Sequence, residues 1–325
     1  MQSIIVTCYN EGLYVASSLR AVLDRTKTPI EVLVVDDAST DNTAEAVQSV
    51  PGVRLIKQEK RSGVAQGRNL AAGLSKGEIL QTLDAHIWPY DGALDLLFEA
   101  AGKHDAVIGS ATVFVSVHPK KVGNDWQGAI DGADTRPIER AAGLSYCRRK
   151  NWFYFCVERY IDTPLPRRTA CYAPGLTVRR ELFDRIGGWA RLPGKWSSND
   201  IAWALKCWFM DVPILSQWQA KLIHAQKTTK SHATPGWEQT LNKAYAAYLC
   251  FDDETFEGFW KPGLTKRLAW DSRIDGILAS PETQKERAGF RKHKVRTDGE
   301  FMESFIVPSL RSAGLSTDWR ALWVA

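Results

Sequence analysis

The first third of the chain alternates short apolar segments with segments of helical periodicity, and this alternation most limits the folds it can adopt. Patterns typical of buried strands lie at residues 3–8, 31–35, 53–56, 79–83 and 106–115. Strands joined by helices in this rhythm predict a parallel, doubly wound sheet flanked by helices. Ligands of such sheets bind beyond the carboxyl ends of the strands. The residues that follow each strand are therefore the first candidates for a functional site.

Polar and charged residues stand at these strand ends. They are Thr7, Asn10, Asp36, Asp37, Asp84 and His86, and Arg68 lies on the predicted helix that begins after Gly63. At one edge of a sheet they would supply three things: hydrogen-bond acceptors for a base and a ribose, one fixed positive charge, and ligands for a metal that binds a diphosphate. This combination indicates a nucleotide-sugar site. No glycine-rich GxGxxG motif follows the first strand, and this argues against a dinucleotide-binding enzyme.

Asp84 and His86 are separated by one residue at the end of the fourth predicted strand. In an extended segment residues two apart point to the same side, so this pair would present a carboxylate and an imidazole together. That arrangement is half of a divalent-metal site. The alternative is an ordinary strand-end turn with a solvated aspartate and a packed histidine.

The composition is that of a globular protein, with 44% hydrophobic and 24% charged residues in 325. No apolar run approaches eighteen residues and no leader precedes the first strand, so we expect a cytoplasmic protein without membrane insertion. The six cysteines are widely spaced and form no C-x-x-C pair. This spacing favours buried, reduced thiols over disulfides or a zinc site.

Residues 261–296 contain ten basic and four acidic residues, and therefore carry more than the whole net charge of +5. Two interpretations stay open for this basic segment. It is either a solvated surface of helices and loops or a patch for an anionic macromolecule such as nucleic acid.

The alternating pattern breaks down after about residue 117 and returns near residue 175. We therefore expect an insertion between two halves of one catalytic domain, followed by a lid loop and a basic, helical or irregular C-terminal extension that binds the acceptor. We expect the catalytic domain at residues 1–226 and the extension at 227–325. The catalytic domain would consist of a nucleotide-binding half (1–115), an insertion (116–172) and an acceptor half (173–226). The lid, at residues 226–236, would close over a bound diphosphate.

Two blocks, residues 7–11 (TCYNE) and 35–41 (VDDASTD), resemble the opening signature of family-two type glycosyltransferases of the GT-A fold. A closer resemblance is to the catalytic domain of polypeptide N-acetylgalactosaminyltransferases. The blocks that carry it are 77–86 (GEILQTLDAH), 173–176 (APGL), 186–188 (IGG), 196–200 (WSSND), 206–208 (KCW) and 222–224 (LIH). Together the ordered blocks span about residues 1–226. The resemblance implies a Rossmann-like nucleotide-diphospho-sugar transferase fold.

By this resemblance the enzyme would move a hexose or N-acetylhexosamine from a UDP-sugar to a hydroxyl group. A divalent cation, Mn²⁺ with Mg²⁺ as the alternative, would be held by Asp84, His86 and His224. The metal would neutralise the diphosphate as it leaves. Contacts to the nucleotide-sugar would come from Thr7, Tyr9, Asn10, Glu11, Asp37, Arg68, Asp84 and Trp196. The alternatives are a helix-surface charge for Arg68 and a core histidine for His224.

The chain departs from this family at one catalytic block. Residues 197–200 read Ser-Ser-Asn-Asp where the family has Gly-Gly-Glu-Asn, so Asn199 lacks the glutamate charge. In inverting family-two enzymes the comparable motif is Glu-Asp, whose aspartate is the general base, and Asp200 matches it. These residues are also good helix caps, which is the structural alternative. Whether transfer retains or inverts the anomeric centre stays open, because the D-x-H motif favours retention and Asp200 favours inversion.

The acceptor is open as well. A cytoplasmic enzyme with a basic extension favours an anionic polymer, and we hypothesise a 5-hydroxymethylpyrimidine of DNA, as in viral genome modification in the host cytoplasm. Protein Ser/Thr or a glycan is the alternative acceptor. An alternative of another class is a degenerate, non-catalytic module that binds sugar or nucleic acid. A nucleotidyltransferase is disfavoured, since no glycine-rich, lysine-containing loop lies near the first strand.

Overall fold

The computed structural model describes residues 1–117, 138–147, 152–158, 165–172, 174–227, 235–268 and 270–321. Their centre is a mixed sheet in the strand order β3-β2-β1-β4-β10-β6-β11-β5, to which β7, β8 and β9 are attached. Helices cover both faces of this sheet. The α/β fold class expected from the sequence is confirmed.

The N-terminal half has the predicted alternation of parallel strands and helices. Its elements are β1 (Gln2–Cys8), α1 (Val15–Asp24), β2 (Ile30–Asp36), α2 (Thr43–Gln48), β3 (Val53–Lys57), α3 (Val64–Leu74) and β4 (Ile79–Asp84). Strand β1 lies parallel between β2 and β4, and β3 pairs with the outer edge of β2. The carboxyl ends of all four strands therefore meet at one edge of the sheet.

The second half of the sheet is mixed. Its elements are β5 (Ile87–Pro89), α4 (Ala93–Lys103), β6 (Val107–Val117), β7 (Ile138–Cys147), β8 (Trp152–Glu158), β9 (Arg167–Arg168), β10 (Leu176–Arg179), α5 (Arg180–Ile186), α6 (Asn199–Phe209) and β11 (Ile214–Lys227). Strand β10 runs antiparallel between β4 and β6. Strand β11 is parallel to β6 and antiparallel to β5, so the sheet has more antiparallel pairs than the sequence pattern predicts.

Three local features differ from the sequence expectation. Asp84 and His86 are not on one extended strand, because residues 85 and 86 form the turn between β4 and β5. Two short apolar segments, 212–216 and 221–224, each have the pattern of a separate strand, but from Ile214 onward they form one strand, β11, with a register shift between Gln217 and Lys221. The described part of the expected insertion contains the antiparallel pair β7–β8 and strand β9.

The C-terminal region is helical. It contains α7 (Gly236–Cys250), α8 (Asp253–Thr255, π-helical Phe256–Trp260 and Lys261–Arg267), α9 (Ser272–Leu278), α10 (Pro281–Arg291), α11 (Asp298–Phe301, π-helical Met302–Ile306 and Val307–Ser312) and a 3₁₀ turn (Trp319–Ala321). Most of the expected lid, with Lys230 and His232, lies outside the described residues, as does much of the insertion.

Two hydrophobic clusters lie on the two faces of the sheet. Alternate residues of β1 point to opposite sides, so that Ile5 joins one cluster and Val6 the other. The cluster of Ile5 continues through α6 into the C-terminal helices. Aromatic rings dominate that continuation, and Phe153 of β8 lies 5.5 Å from both Trp260 and Phe301 between ring centroids. The C-terminal helices therefore share one core with the sheet.

Four of the six cysteines, Cys8, Cys171, Cys207 and Cys250, are free and buried, as expected. Burial raises the pKa of the Cys250 thiol to about 12, so this thiol is protonated and unreactive. Among the described residues, no helix combines the length and the apolar character that crossing a membrane requires.

Candidate active site

Asp84, His86 and His224 meet at the edge where β4 ends. One ligand atom from each lies within 4.8 Å of the others. Asp84 is the last residue of β4 and His86 belongs to the turn that follows. His224 comes from distant β11, whose antiparallel pairing with β5 places it opposite Ile87. The structure thus brings together the three residues predicted to bind a metal.

Asp84 lies beside the guanidinium of Arg68 and the imidazoles of His86 and His224. Its Oδ1 accepts a hydrogen bond of 3.0 Å from Nη2 of Arg68, and its Oδ2 lies 3.6 Å from Nε2 of His224. Burial alone would raise the pKa of Asp84, but His224, Arg68 and His86 together hold this pKa well below its usual range. The carboxylate is therefore ionised and ready to bind a cation.

Arg68 is not a surface charge of α3, because only 2% of it is exposed. Its guanidinium lies over the Trp189 ring at 4.7 Å from the ring centroid. Its Nε and Nη1 have no hydrogen-bond partner among the described residues. A buried guanidinium with unused donors is suited to an anionic ligand group.

Glu11 lies beside the metal cluster. Its Oε2 is 3.3 Å from Nδ1 of His86, and only 6% of Glu11 is exposed. Carboxylates in this position orient metal-binding histidines and fix which nitrogen is protonated. The two atoms are in close contact without hydrogen-bond geometry, and we predict that Nε2 of His86, the ring nitrogen outside this contact, binds the metal.

The donor set fits a first-row divalent cation. One carboxylate and two imidazoles suit Mn²⁺ and the metals that follow it better than Mg²⁺, which prefers oxygen ligands. Three protein ligands also leave coordination positions open for phosphate oxygens.

A cavity of about 350 Å³ opens next to this cluster. It joins the metal side to the start of α6. The predicted site residues that line it are Arg68, Asp84, Trp196, Asn199, Asp200 and His224. Trp196, at the rim, is 47% exposed. The sequence did not indicate Phe114 and Tyr172, which also line the cavity and whose rings contact each other at 5.6 Å.

Asn199 and Asp200 form the first turn of α6. The N-cap of this helix is Ser198, whose side chain makes no capping hydrogen bond. Ser197 and Ser198 both have left-handed backbone conformations, with φ of 88° and 62°. Neither Asn199 nor Asp200 is therefore the cap residue, and both side chains line the cavity.

Asp37 holds the loop that leads into α3. Its carboxylate accepts hydrogen bonds from the backbone N–H of Ser62 at 2.6 Å and of Gly63 at 3.0 Å, and from Gln58 at 3.1 Å. Only 6% of Asp37 is exposed. In the structure Asp37 therefore orders this loop, and its expected contact with the base or ribose stays a prediction.

The remaining predicted nucleotide contacts surround the end of β1. Asn10, with φ of 54°, joins this end to the loop after β2, since its Oδ1 accepts a 2.8 Å hydrogen bond from Thr40. The Tyr9 ring lies 3.7 Å below the guanidinium of Arg61. Thr7 pairs in register with Asp84, and its buried hydroxyl has no hydrogen-bond partner among the described residues.

At least six of the ten basic residues of the segment 261–296 form ion pairs with acidic residues in the described part of the chain. They are Lys261, Arg273, Arg287, Arg291, Lys294 and Arg296. Arg287 is also buried, with 4% exposed. Much of the excess charge that the sequence shows is therefore neutralised in the folded chain.

Comparison with known proteins supports a single family. The model described as Glycosyl transferase family 2 matches residues 3–186, more than half of the chain. Glycosyltransferase GlyG of Streptococcus pneumoniae serotype 4 (strain ATCC BAA-334 / TIGR4) is 32% identical over 114 residues, which are 33% of this chain and 38% of the relative. Polypeptide N-acetylgalactosaminyltransferase 6 of Mus musculus is 26% identical over 229 residues, 63% of this chain and 34% of the relative. The chain spans little more than a third of these relatives.

Solved structures show the same fold. GalNAc-T7, crystallised with UDP, GalNAc and Mn²⁺, superposes with a TM-score of 0.68 at 18% identity, covering 96% of this chain and 57% of that one. S. aureus TarS 1-349 in complex with UDP-GlcNAc gives a TM-score of 0.53 at 17% identity, covering 99% and 86%. The chain therefore belongs to glycosyl transferase family 2 and has the GT-A fold.

Proposed function

We propose that this chain is a metal-dependent glycosyltransferase that moves a hexose or N-acetylhexosamine from a UDP-sugar to a hydroxyl acceptor. The observation that carries the proposal is the convergence of Asp84, His86 and His224 at the cavity that Asp200 lines from the other side. Similar solved structures, GalNAc-T7 with UDP, GalNAc and Mn²⁺ and S. aureus TarS with UDP-GlcNAc, support the same donor class and metal.

The donor would lie along the carboxyl ends of β1, β2 and β4. Thr7, Tyr9 and Asp37 would form the base and ribose pocket, in the proposed nucleotide-binding half 1–115, because they lie at or just after the ends of β1 and β2. Asp84, His86 and His224 would hold Mn²⁺, whose positive charge would neutralise the diphosphate as the bond to the sugar breaks. Arg68 adds a fixed positive charge beside Asp84.

The acceptor would enter from the side of α6, in the proposed acceptor half 173–226. In the inverting form of the reaction, the acceptor oxygen bonds to the anomeric carbon, the carbon–phosphate oxygen bond breaks, UDP leaves, and the acceptor proton passes to Asp200. Asn199 would orient the acceptor through its amide. The metal motif, by contrast, resembles that of retaining enzymes. The anomeric configuration of the product, measured by NMR, therefore decides between inversion and retention.

Release of UDP from UDP-GalNAc, UDP-GlcNAc and UDP-glucose tests the donor side, with Mn²⁺, with Mg²⁺ and with EDTA. We expect turnover with Mn²⁺, less with Mg²⁺ and none with EDTA. Asp84→Asn and His224→Ala should each lower kcat at least about 100-fold, because each removes a ligand. His104→Ala, at the end of α4 and away from the cavity, is the control. Full activity of either ligand variant would contradict the metal site.

The acceptor hypothesis remains DNA carrying 5-hydroxymethylpyrimidine. The internal ion pairs of the basic segment reduce its support, and the aromatic lining of Phe114, Tyr172 and Trp196 is equally suited to a glycan acceptor. Transfer to modified DNA, to a Ser/Thr peptide and to a glycan should be compared at two salt concentrations. A DNA acceptor predicts steep loss of activity with salt, and transfer to peptide or glycan alone would exclude it. The expected cytoplasmic location is tested by cell fractionation.

The missing glutamate charge at Asn199 supports a second candidate, a non-catalytic sugar- or nucleic-acid-binding module. Binding of UDP without turnover of any donor, with any metal, would favour it. Asn199→Glu separates the two candidates further. A gain of turnover in this variant would indicate a transferase that has lost activity at this one position.

A further inference from the structure

We propose that Asn242 is a positioning residue for transfer, which holds the loop 194–198 so that Trp196 and the first turn of α6 face the cavity. This inference rests on the proposed function. Asn242 does not line the cavity itself. It lies on α7, outside the residues 3–186 that match the family model.

Every polar group of the Asn242 side chain is directed to this loop. Its Oδ1 accepts a hydrogen bond of 2.7 Å from the N–H of Gly194. Its Nδ2 donates to the carbonyl oxygens of Gly194 at 3.1 Å, Trp196 at 3.0 Å and Ser197 at 3.1 Å. Asn242 has no exposed surface, so water does not compete for these bonds. A buried amide with all partners in one loop fixes the conformation of that loop.

A second contact comes from the same helix. Oε2 of Glu238, one turn before Asn242, accepts a 3.1 Å hydrogen bond from the N–H of Lys195. On its other side, the carbonyl of Lys195 accepts a 3.2 Å hydrogen bond from the N–H of Val64, the first residue of α3. The loop is therefore held between the C-terminal helix α7 and the helix that carries Arg68.

The loop packs so closely against its supports that a side chain at Gly194 or at Gly63 would have no space. A Cβ atom on Gly194 would lie 2.7 Å from Oδ1 of Asn242 and 2.8 Å from the carbonyl oxygen of Glu238. A Cβ on Gly63 would lie 2.9 Å from Cα of Lys195, and φ at Gly63 is 92°. Glycine at both positions permits the close approach of the loop to its two supports.

The loop needs this support because its backbone is strained. Ser197 and Ser198 have left-handed conformations, which are unfavourable for residues other than glycine. Such conformations persist only where the surroundings enforce them. Asn199 and Asp200 follow directly, so relaxation of Ser197 would move the carboxylate proposed as the base. A displacement of about 1 Å at a reacting group lowers rate by about 100-fold.

The test compares Asn242→Leu, which has similar volume but no hydrogen-bonding groups, with Thr240→Val on the same helix. Thr240 is buried at 2% exposure, and its hydroxyl bonds only the Gly236 carbonyl among the described contacts. In Asn242→Leu we expect kcat to fall at least about tenfold and the donor KM to change less, because Trp196 is the one expected donor contact that lies in this loop. Thr240→Val should keep both values, even where its melting temperature falls.

Hydrogen exchange measured by mass spectrometry gives a readout that does not need activity. In Asn242→Leu the amides of Gly194 and Lys195 should exchange at least about tenfold faster, while those of β1 stay protected. Unchanged exchange in the loop would overturn the proposal. Equal losses of kcat in Asn242→Leu and Thr240→Val would also overturn it, since a purely structural role predicts that result.

Glu238 provides a second pair of variants if Asn242→Leu does not fold. Glu238→Gln keeps an oxygen acceptor for the Lys195 amide and should retain kcat, whereas Glu238→Ala should lower it several-fold with faster exchange at Lys195. The same loss in both variants would contradict the role of this contact. If the wild-type chain transfers no sugar, the proposed function fails, and the exchange experiment alone decides whether α7 holds the loop.

Discussion

Glu11 carries a carboxylate that the chain buries 3.3 Å from a candidate metal ligand, His86. The sequence places Glu11 among the expected contacts to the nucleotide-sugar, next to Asn10. In the structure its carboxylate contacts the imidazole of His86, which follows a different strand end. Single residues can therefore be assigned to a site from the sequence, while their partners in that site depend on contacts between distant segments.

We predict that Glu11→Gln weakens metal binding without removing a ligand. The neutral amide orients His86 less well and lowers its basicity, so the affinity for Mn²⁺ should fall about 10–100-fold. Titration of Mn²⁺ by electron paramagnetic resonance measures this affinity, and saturating Mn²⁺ should restore most of kcat. An unchanged affinity in Glu11→Gln would show that the contact has no such role. The control is Glu78→Gln, an exposed site before β4.

Glu31, at the start of β2, connects three elements. Its Oε1 accepts hydrogen bonds from Ser3 of β1 at 2.6 Å, from Gly77 at 3.1 Å and from Lys76 in the turn before β4. Burial alone would raise the pKa of Glu31, and these hydrogen bonds outweigh it, so this pKa lies below the usual value. The carboxylate thus stabilises the register of the central strands.

The pH dependence of stability follows from this lowered pKa. The contribution of Glu31 is fully present above the unfolded-state pKa of about 4.3 and is lost as pH falls through the folded-state pKa. Glu31→Gln should therefore cost about 1–2 kcal/mol of unfolding free energy at pH 7, and this difference should shrink below about pH 4. Urea denaturation at several pH values measures it. A difference that is independent of pH would contradict the assignment.

In the loop before α6 we predict a substitution that raises stability instead of lowering it. Ser197 has φ of 88°, and glycine there would relieve about 1–2 kcal/mol of strain against about 0.4–1 kcal/mol of added chain entropy. We expect Ser197→Gly to be slightly more stable to heat and less active, because the loop gains other conformations. Ser49→Gly, where φ is −71°, should only destabilise. Calorimetry and kcat together test this, and a Ser197→Gly protein with lower melting temperature would refute the strain.

Many element boundaries agree with the sequence to within a few residues, since strands and helices of the first half bury continuous or periodic apolar faces. The segment 77–86 also predicts correctly the strand that ends in Asp84. The pattern does not indicate β5, because three residues following a turn carry no periodicity. Nor does it indicate that β10 inserts antiparallel between β4 and β6, since strand direction depends on long-range pairing.

At the scale of the whole molecule, the sheet and the C-terminal helices form one folding unit through their aromatic core. Trp260 of α8 is fully buried, and its ring lies within 6 Å of Trp152, Phe153 and Phe251 between centroids. Division of the chain at residue 226 stays a prediction about function. A shared core means that the two parts stabilise each other.

We predict that Trp260→Ala destabilises the whole molecule. Removal of a buried tryptophan leaves a cavity and costs about 3–5 kcal/mol. Because the core is shared, chemical denaturation should still show one transition, with the loss detected equally by probes in the sheet and in the helices. Val295→Ala, 67% exposed, should change little. Two separate transitions in Trp260→Ala would show that the C-terminal region folds independently.

The sequence by itself predicted the order of strands and helices in the first half, because that order depends on local periodicity. The resemblance, carried by short blocks of residues, implied Asp84, His86 and His224 as metal ligands, and this assignment stays a prediction. Only the tertiary structure decided that β5 places His224 beside Asp84, that Glu11 contacts His86, and that Asn242 holds the loop before Asp200. These contacts join segments far apart in the chain. Their geometry follows from strand register and core packing, which no local pattern encodes.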